Sequence, residues 1–455
     1  MKHLFILIVS LISINLFSQI PNTLNDNQKV FGLSKFWQEV NYNFVYLNTI
    51  DNEKWEKDYI QLISDVQKTN NDYEYFRLLQ KFCATLKDGH TNVYFPDTIQ
   101  QNLYNTYFGD YRLFMTNIDG KAIVTRINLS KKDELPIGTE VIQVNGTETQ
   151  TYLQEKVIPY ISSSTDFILQ DWAVSGMFRA PKGTSFNIRF KLPNGNIKDL
   201  TLTHTETTEK EVYPEFENSQ LLDFKWINED IAYLALNSFG NPKIDSLFID
   251  QLPTLEKAKK LIIDLRKNAG GSTSIGLEIL KYLTHDTLLY GSKMQSRLHI
   301  PSFKAWGNWT KAIDTIGNKW ATQEYLSFRD NFYHDFEYAA DTVRLDANRI
   351  VIPTAILIGH QTASAAEDFL IYADKQVHMT KIGEPTFGST GQPMLIELPG
   401  GGSARICTKK DTYPDGKEFV GYGILPDIEA KKTLSDYLKN HDPVLERAIR
   451  FLRKN

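Results

Sequence analysis

The chain has only two cysteines, Cys83 and Cys407, in 455 residues. That excludes a disulfide-built scaffold and any zinc site assembled from thiolates. Nine histidines are present, but none falls in an H-E-x-x-H or related spacing, so no catalytic metal is expected. Neither a G-x-G-x-x-G fingerprint nor a phosphate-binding P-loop occurs, and no cofactor is expected. Blocks of Lys or Arg are missing too: 50 basic residues face 55 acidic ones, for a net charge of −5. Nucleic acid and anionic lipid are therefore poor candidates for the main partner. Long apolar runs are limited to one, Leu4 to Phe17. It is shorter than the about 20 residues a membrane span needs, and with Lys2 before it and small Ser18 after it, it reads as a secretory signal cleaved near Ser18/Gln19. No cysteine follows that could carry a lipid. The mature chain is expected to be periplasmic or secreted, with no membrane span.

What is present is an ordinary globular composition, 42% apolar and 12% aromatic, which argues against disorder. Single cores stop growing near about 250–300 residues, so two or three domains are expected. Between Val30 and Leu86 apolar and aromatic residues recur at helical steps (Phe36, Val40, Phe44; Trp55, Tyr59, Leu62, Val66), with Phe36, Trp37, Tyr42 and Phe44 expected to pack between helices. Asn71 or Asp72 is a suitable cap for a further helix. The pattern breaks at Lys87-Asp88-Gly89, and His90 leads an extended segment. From Leu103 to about Thr208 short β-type runs alternate with turns. There, GTEVIQVNGTET followed by YLQEKVIPYI resembles the peptide-binding half of a PDZ domain, although Tyr160 to Phe178 is longer than that unit needs. The last region alternates strand and helix, which predicts a largely parallel sheet. The aromatic stretch 288–348 reads either as an insertion near a substrate site or as a packed surface excursion.

Three places could carry chemistry. Ser364 sits where a buried strand turns into a helix, so unpaired backbone N–H groups and the positive helix end surround its hydroxyl; an ordinary N-cap would look the same. Gly270 and Gly271 close another strand and open another helix, which allows close backbone approach to a ligand or simply a tight turn. His90 lies in a helix–strand break, as a general base or as a solvated loop histidine.

Taken together, LKDGHTNVYFP, LIIDLRKNAGG, HQTASAAEDF, KIGEPTFGSTGQP and GYGILPDI stand in the order found in the tail-specific (C-terminal processing) serine proteases, a family that includes the core of tricorn protease and the interphotoreceptor retinoid-binding modules. The resemblance implies an α/β fold: a crotonase-like (ClpP/crotonase) core over residues 211–455, a β-rich PDZ-like domain over 101–210, and an N-terminal helical region over 20–100, behind a signal of residues 1–19. It implies a serine peptidase acting on peptide or unfolded-protein substrates without metal or cofactor. Ser364 matches the family's nucleophile. The lysine base of one branch is missing, since Ser389 follows Thr386-Phe387-Gly388. The tricorn-like branch uses a histidine, which His90 matches. By the same resemblance, the oxyanion donors are the N–H groups of Ala365 and of Gly270 or Gly271. Two departures stand out. Gly89 replaces the serine expected before the histidine, and Val420 stands where an orienting glutamate is expected, which leaves Glu418 as the substitute acid. The alternatives are a non-catalytic peptide- or lipophile-binding protein on the same fold, an esterase, or a different base such as Lys381. Cys83 and Cys407 are expected as two buried free thiols rather than a disulfide.

Overall fold

In the computed structural model, residues 22–454 other than 346 are described; the expected signal segment lies outside them. The fold is mixed α/β. Its centre is a six-stranded sheet in the order Leu222–Trp226, Ile231–Leu236, Lys260–Asp264, Thr354–Ile358, Met379–Gly383 and Ile428–Glu429. The first pair is antiparallel and the remaining pairs are parallel, with Ile263 opposite Ile356 and Ile356 opposite Lys381. Strand residues point alternately to the two faces, and both faces are covered. Leu261, Ile263, Ile356 and Ile358 pack with Phe369 and Leu370 of the helix Ala365–Ala373 and with Ile279 and Leu280 of the helix Thr273–Lys281. Ile262, Ala355, Leu357 and Ile382 face Val444, Ala448 and Leu452 of the last helix, Pro443–Lys454. Two-sided burial is why these strands read as continuous apolar runs rather than as alternating ones.

The helical region is not closed by its own segment of chain. Phe36, Phe44, Trp55, Phe76 and Phe82 form a core with Ile396, Leu398, Ala404 and Ile406. The latter come from a late hairpin, Pro393–Glu397 and Ser403–Cys407, whose second strand pairs with Asn92–Tyr94 just after His90. Asn71, rather than Asp72, caps the helix Asp72–Ala84. The Asp72 carboxylate instead accepts the backbone N–H groups of Thr23 and Leu24. Tyr42 is exposed, not part of this core, with its ring against His299.

The β-rich unit is a seven-stranded sheet. In Ser185–Lys191 buried Phe186, Ile188 and Phe190 alternate with exposed polar neighbours, the pattern of a sheet covered on one face. Among the described residues the strand Phe114–Ile118 pairs only with Lys121–Asn128, and the helix Asp166–Ser175 packs beside it.

The aromatic stretch forms small hairpins and two helices, Pro301–Gly307 and Lys319–Phe328. It is anchored to the helical region through Arg297, which donates to the Asn41 carbonyl (2.6 Å), and Tyr333, which donates to the Val45 carbonyl (2.7 Å). Cys83 and Cys407 are free and buried. Burial pushes both thiols well up from their ordinary range. Among the described residues no helix is long and apolar enough to cross a membrane.

Phe369, on the helix that follows Ser364, is 1% exposed in the core that seats that helix on the sheet. Phe369→Ala is expected to cost about 3–5 kcal/mol, measurable as a lowered urea midpoint.

Candidate active site

Ser364 stands at the N-terminus of the helix Ala365–Ala373, six residues after the buried strand Thr354–Ile358 ends. Its backbone has φ +55° and ψ −122°, a conformation that non-glycine residues avoid and that surrounding structure must hold in place. Three contacts hold it. The Ala363 N–H donates to the Asn268 carbonyl (3.1 Å). The Thr362 hydroxyl donates to the Leu265 carbonyl (3.0 Å). The Ser364 N–H donates to the Glu367 carboxylate (3.0 Å). Gly270 packs directly against this turn: a Cβ placed on it would lie 2.8 Å from the Ser364 Cβ and 2.7 Å from the Ala363 carbonyl oxygen. No other residue type fits there.

The two glycines are not equivalent as donors. The Gly270 N–H is taken by the Asn268 side-chain oxygen (2.9 Å). In the bridge between Phe239 and Gly271, hydrogen bonds use the Gly270 carbonyl and the Ser272 N–H. Among the described residues, the N–H groups of Gly271 and Ala365 have no protein acceptor. They are the pair available to a developing negative charge.

His90 lines the same cleft as Ser364, a cavity of about 950 Å³ between the β-rich unit and the parallel sheet. No hydrogen bond joins the two side chains. His90 is 9% exposed and its Nδ1 lies 2.7 Å from the Ser389 hydroxyl. Ser389 in turn donates to the Asp88 carboxylate (3.4 Å). A hydroxyl that gives its only proton to Asp88 must accept from Nδ1–H, which leaves Nε2 unprotonated. Asp88 also accepts from Thr91 (2.6 Å) and Ser164 (3.3 Å). The Gly89 N–H donates to Ser164 (2.9 Å), and the Gly89 carbonyl accepts from Asn92 and Arg405 (both 3.0 Å).

Glu418 does not reach His90. Its carboxylate pairs with Lys410, and it lines a separate cavity beside Tyr46 and Asp411. The group that contacts the ring is Ser389, the residue standing where the lysine branch has its base. The glycine at 89 has a steric reason: a Cβ there would meet the Phe387 ring at 2.7 Å and the Ser389 Cβ at 3.2 Å. The hydroxyl thus comes from a different segment of chain. Lys381 pairs with Asp374 and Asp427 and does not line the cleft. Among the described residues of 288–348 none lines the cleft; Ser292 donates to Asp368 (2.9 Å) on the helix that follows Ser364. Sequence reasoning missed Asp88, Ser164, Glu367 and Ser389 as site residues. All but Ser164 lie inside the quoted motifs, but only the fold brings them into contact.

Two buried titratable groups are strongly shifted. The His90 pKa is lowered from 6.5 to about 4, first by burial and then by the nearby Arg405 and Lys409 charges. Glu367 is raised from 4.5 to about 8 by burial, against the pull of donors from Thr386 (2.5 Å), Gly388 (2.8 Å) and Ser364.

Two tests follow from this geometry. Glu367→Gln turns one acceptor oxygen into an NH₂ group facing either the Ser364 or the Gly388 N–H. Turnover is expected to fall about 10- to 100-fold from one such lost hydrogen bond and the resulting mismatch, with the circular dichroism spectrum unchanged. For His90, the unfolded chain binds the proton near 6.5 and the folded chain only near 4. His90's own contribution to native stability therefore declines as pH falls from 6.5 towards 4, opposite in sign to that of Glu367, so the urea midpoint of His90→Gln should gain on that of the wild type as pH falls through this range.

Residues 230–430 match the model of Peptidase family S41. The chain is 21% identical over 403 residues to a carboxyl-terminal-processing protease of Picosynechococcus sp., covering 87% of this chain and 81% of that protein. It is 23% identical over 397 residues to the carboxy-terminal processing protease CtpA of Bacillus subtilis, covering 85% and 70%. Among solved structures, mature CPAF complexed with lactacystin is similar in fold, with a TM-score of 0.67 at 15% identity over 94% of this chain and 99% of that one. The family match takes in every parallel strand of the central sheet and the turn that holds Ser364, and over these residues the chain resembles peptidase family S41, the serine-type peptidases.

Proposed function

We propose that the protein is an exported endopeptidase that hydrolyses peptide bonds in peptide or unfolded-protein substrates through an acyl-enzyme formed on Ser364, with His90 as base. The observation that carries this reading is the meeting, in one cleft, of a serine held at φ +55° and a histidine whose Nδ1 is already engaged. In this reading residues 211–455 form a ClpP/crotonase-like core, residues 101–210 a PDZ-like unit, and residues 20–100 a helical region that brings the base. The apolar N-terminal run is the export signal.

The chemistry follows from the positions of the groups. Nε2 of His90 takes the Ser364 proton as Oγ attacks the carbonyl carbon, since a serine hydroxyl is a poor nucleophile until a base accepts its proton. The N–H groups of Ala365 and Gly271 receive the oxyanion. Nδ1–H stays on the Ser389 hydroxyl, and Asp88 behind it stabilises the imidazolium while it exists. The imidazolium then protonates the leaving amine, and water, deprotonated by the same Nε2, releases the acyl group. Substrate must bring Ser364 and His90 into hydrogen-bond contact, as catalytic bonds often tighten only in the complex. The unpaired edge of Phe114–Ile118 beside the helix Asp166–Ser175, both of which line the cleft, suits an added peptide strand.

A fluorophosphonate probe is expected to label the wild type and not Ser364→Ala. His90→Ala should slow labelling and casein cleavage together, by about 10²–10⁴-fold. A wild-type protein that neither labels nor cleaves would support the binding-protein alternative instead. Removing the Nδ1 acceptor with Ser389→Ala should lower kcat about 100-fold or more with little change in KM, because the base loses its tautomer control.

A further inference from the structure

The Ser364 cleft is lined by several cations, and most are neutralised within the protein. Arg266 is paired with Asp264 (2.6 Å) and Asp442 (2.8 Å), Lys431 with Asp119 (3.1 Å), and His360 with Asp171 (2.6 Å). Lys432, without an ion pair among the described residues, lies over the Tyr437 ring (4.3 Å to its centroid), and Arg405 sits beside the turn that carries His90. Among the described residues it has no carboxylate in ion-pair contact. One terminal nitrogen donates to the Gly89 carbonyl (3.0 Å), while its Nε is buried without a hydrogen-bond partner. The nearest acid in the network, Asp88, is already engaged by Thr91, Ser164 and Ser389. A guanidinium with donors to spare in a cleft is suited to a planar, bidentate anion.

Its place in the fold says where along the substrate that anion would lie. Arg405 is on the strand Ser403–Cys407, directly opposite Asn92 in the register, and holds the residue just before His90. Under the proposed mechanism His90 delivers its proton to the leaving amine, so the groups beside it face the leaving-group side of the scissile bond. We infer that Arg405 forms a carboxylate-binding subsite for the part of the substrate C-terminal to the cleaved bond. This rests on the peptidase reading. The carboxylate could come from an Asp or Glu side chain or from the substrate's own C-terminus. Neutralising Arg405 would also remove one of the charges that depress the His90 pKa, so an acidic substrate would strengthen its own base.

The test uses decapeptides in which one Glu is walked through every position, each matched by its Gln counterpart and each made as C-terminal acid and C-terminal amide. For the wild type, kcat/KM is expected to be about tenfold or more higher for the carboxylate member of at least one pair on the leaving-group side, the scale of one charge-assisted hydrogen bond. A Glu/Gln difference identifies a side chain; an acid/amide difference identifies the terminus. In Arg405→Gln the ratio should fall towards one, and in Arg405→Lys part of it should remain. An equal loss on both members of the pair, or an unchanged ratio, would overturn the inference, as would a wild type without preference. The same pairs are measured by fluorescence anisotropy on Ser364→Ala protein, with and without Arg405→Gln. A preference in binding that depends on Arg405, with no cleavage by the wild type, would sustain the subsite and defeat the peptidase reading.

Discussion

A single buried carboxyl group, Glu367, joins the two halves of the site. One oxygen accepts the Ser364 N–H; the other accepts the Thr386 hydroxyl and the Gly388 N–H. The first bond holds the left-handed turn at Ser364, and the second pair holds the loop whose next residue, Ser389, contacts His90. The serine and the histidine are therefore positioned against the same group, although they are 274 positions apart. A carboxyl group in so dry a place is costly to ionise, which is why its pKa rises to about 8. The donors converging on it offset part of that cost and fix its orientation.

The same logic extends outward. The Asp88-Gly89-His90 turn belongs to the helical region, yet it is fastened from every side by other segments. Ser162 and Ser164 bond it from the β-rich unit, Phe387 and Ser389 pack on Gly89, and Arg405 grips the Gly89 carbonyl. Because the late hairpin 393–407 completes the core of the helical region, these layers cannot shift independently without opening apolar contacts. A buried, neutral histidine needs such support. Its low pKa keeps Nε2 free of a proton at neutral pH, but the same burial makes the native state pay, below pH 6.5, for a proton that the unfolded chain binds more readily.

Much of this was legible in the sequence. The strands KLIID and TAILI announce themselves by apolar continuity, and the alternation in SFNIRFK gives a half-covered strand; both patterns follow from strand geometry alone. The turn at Ser364 could be read because a serine between a buried strand and a helix leaves a local trace, as does the glycine pair beside it. The partners of His90 left none. Ser389 and Asp88 are short polar residues in turns, a setting where most such residues do no more than cap or solvate. Glu418 looked plausible because it is an acid near the expected place in the chain; the fold gives it Lys410 instead. Linear proximity is a weak guide where the contacts are made between segments hundreds of residues apart.

Gly89 and Ser389 show how such a substitution pattern can be read physically. The motif asks for a hydroxyl just before the histidine, and glycine stands there. The loop after Thr386 could carry a lysine, and serine stands there. Taken separately, each looks like a loss. In space they are one feature, because the Ser389 Cβ occupies the ground that a side chain at position 89 would need, 3.2 Å from the position of its Cβ. A side chain at 89 would press first on the Phe387 ring, at 2.7 Å, and then on Ser389, so the glycine at 89 leaves room for the segment that carries the Ser389 hydroxyl. A lysine at 389 would need to be neutral to act as base, in a pocket already depressed by Arg405 and Lys409; a serine there needs no such shift. Two apparent departures reduce to one choice of which segment supplies the oxygen that holds Nδ1.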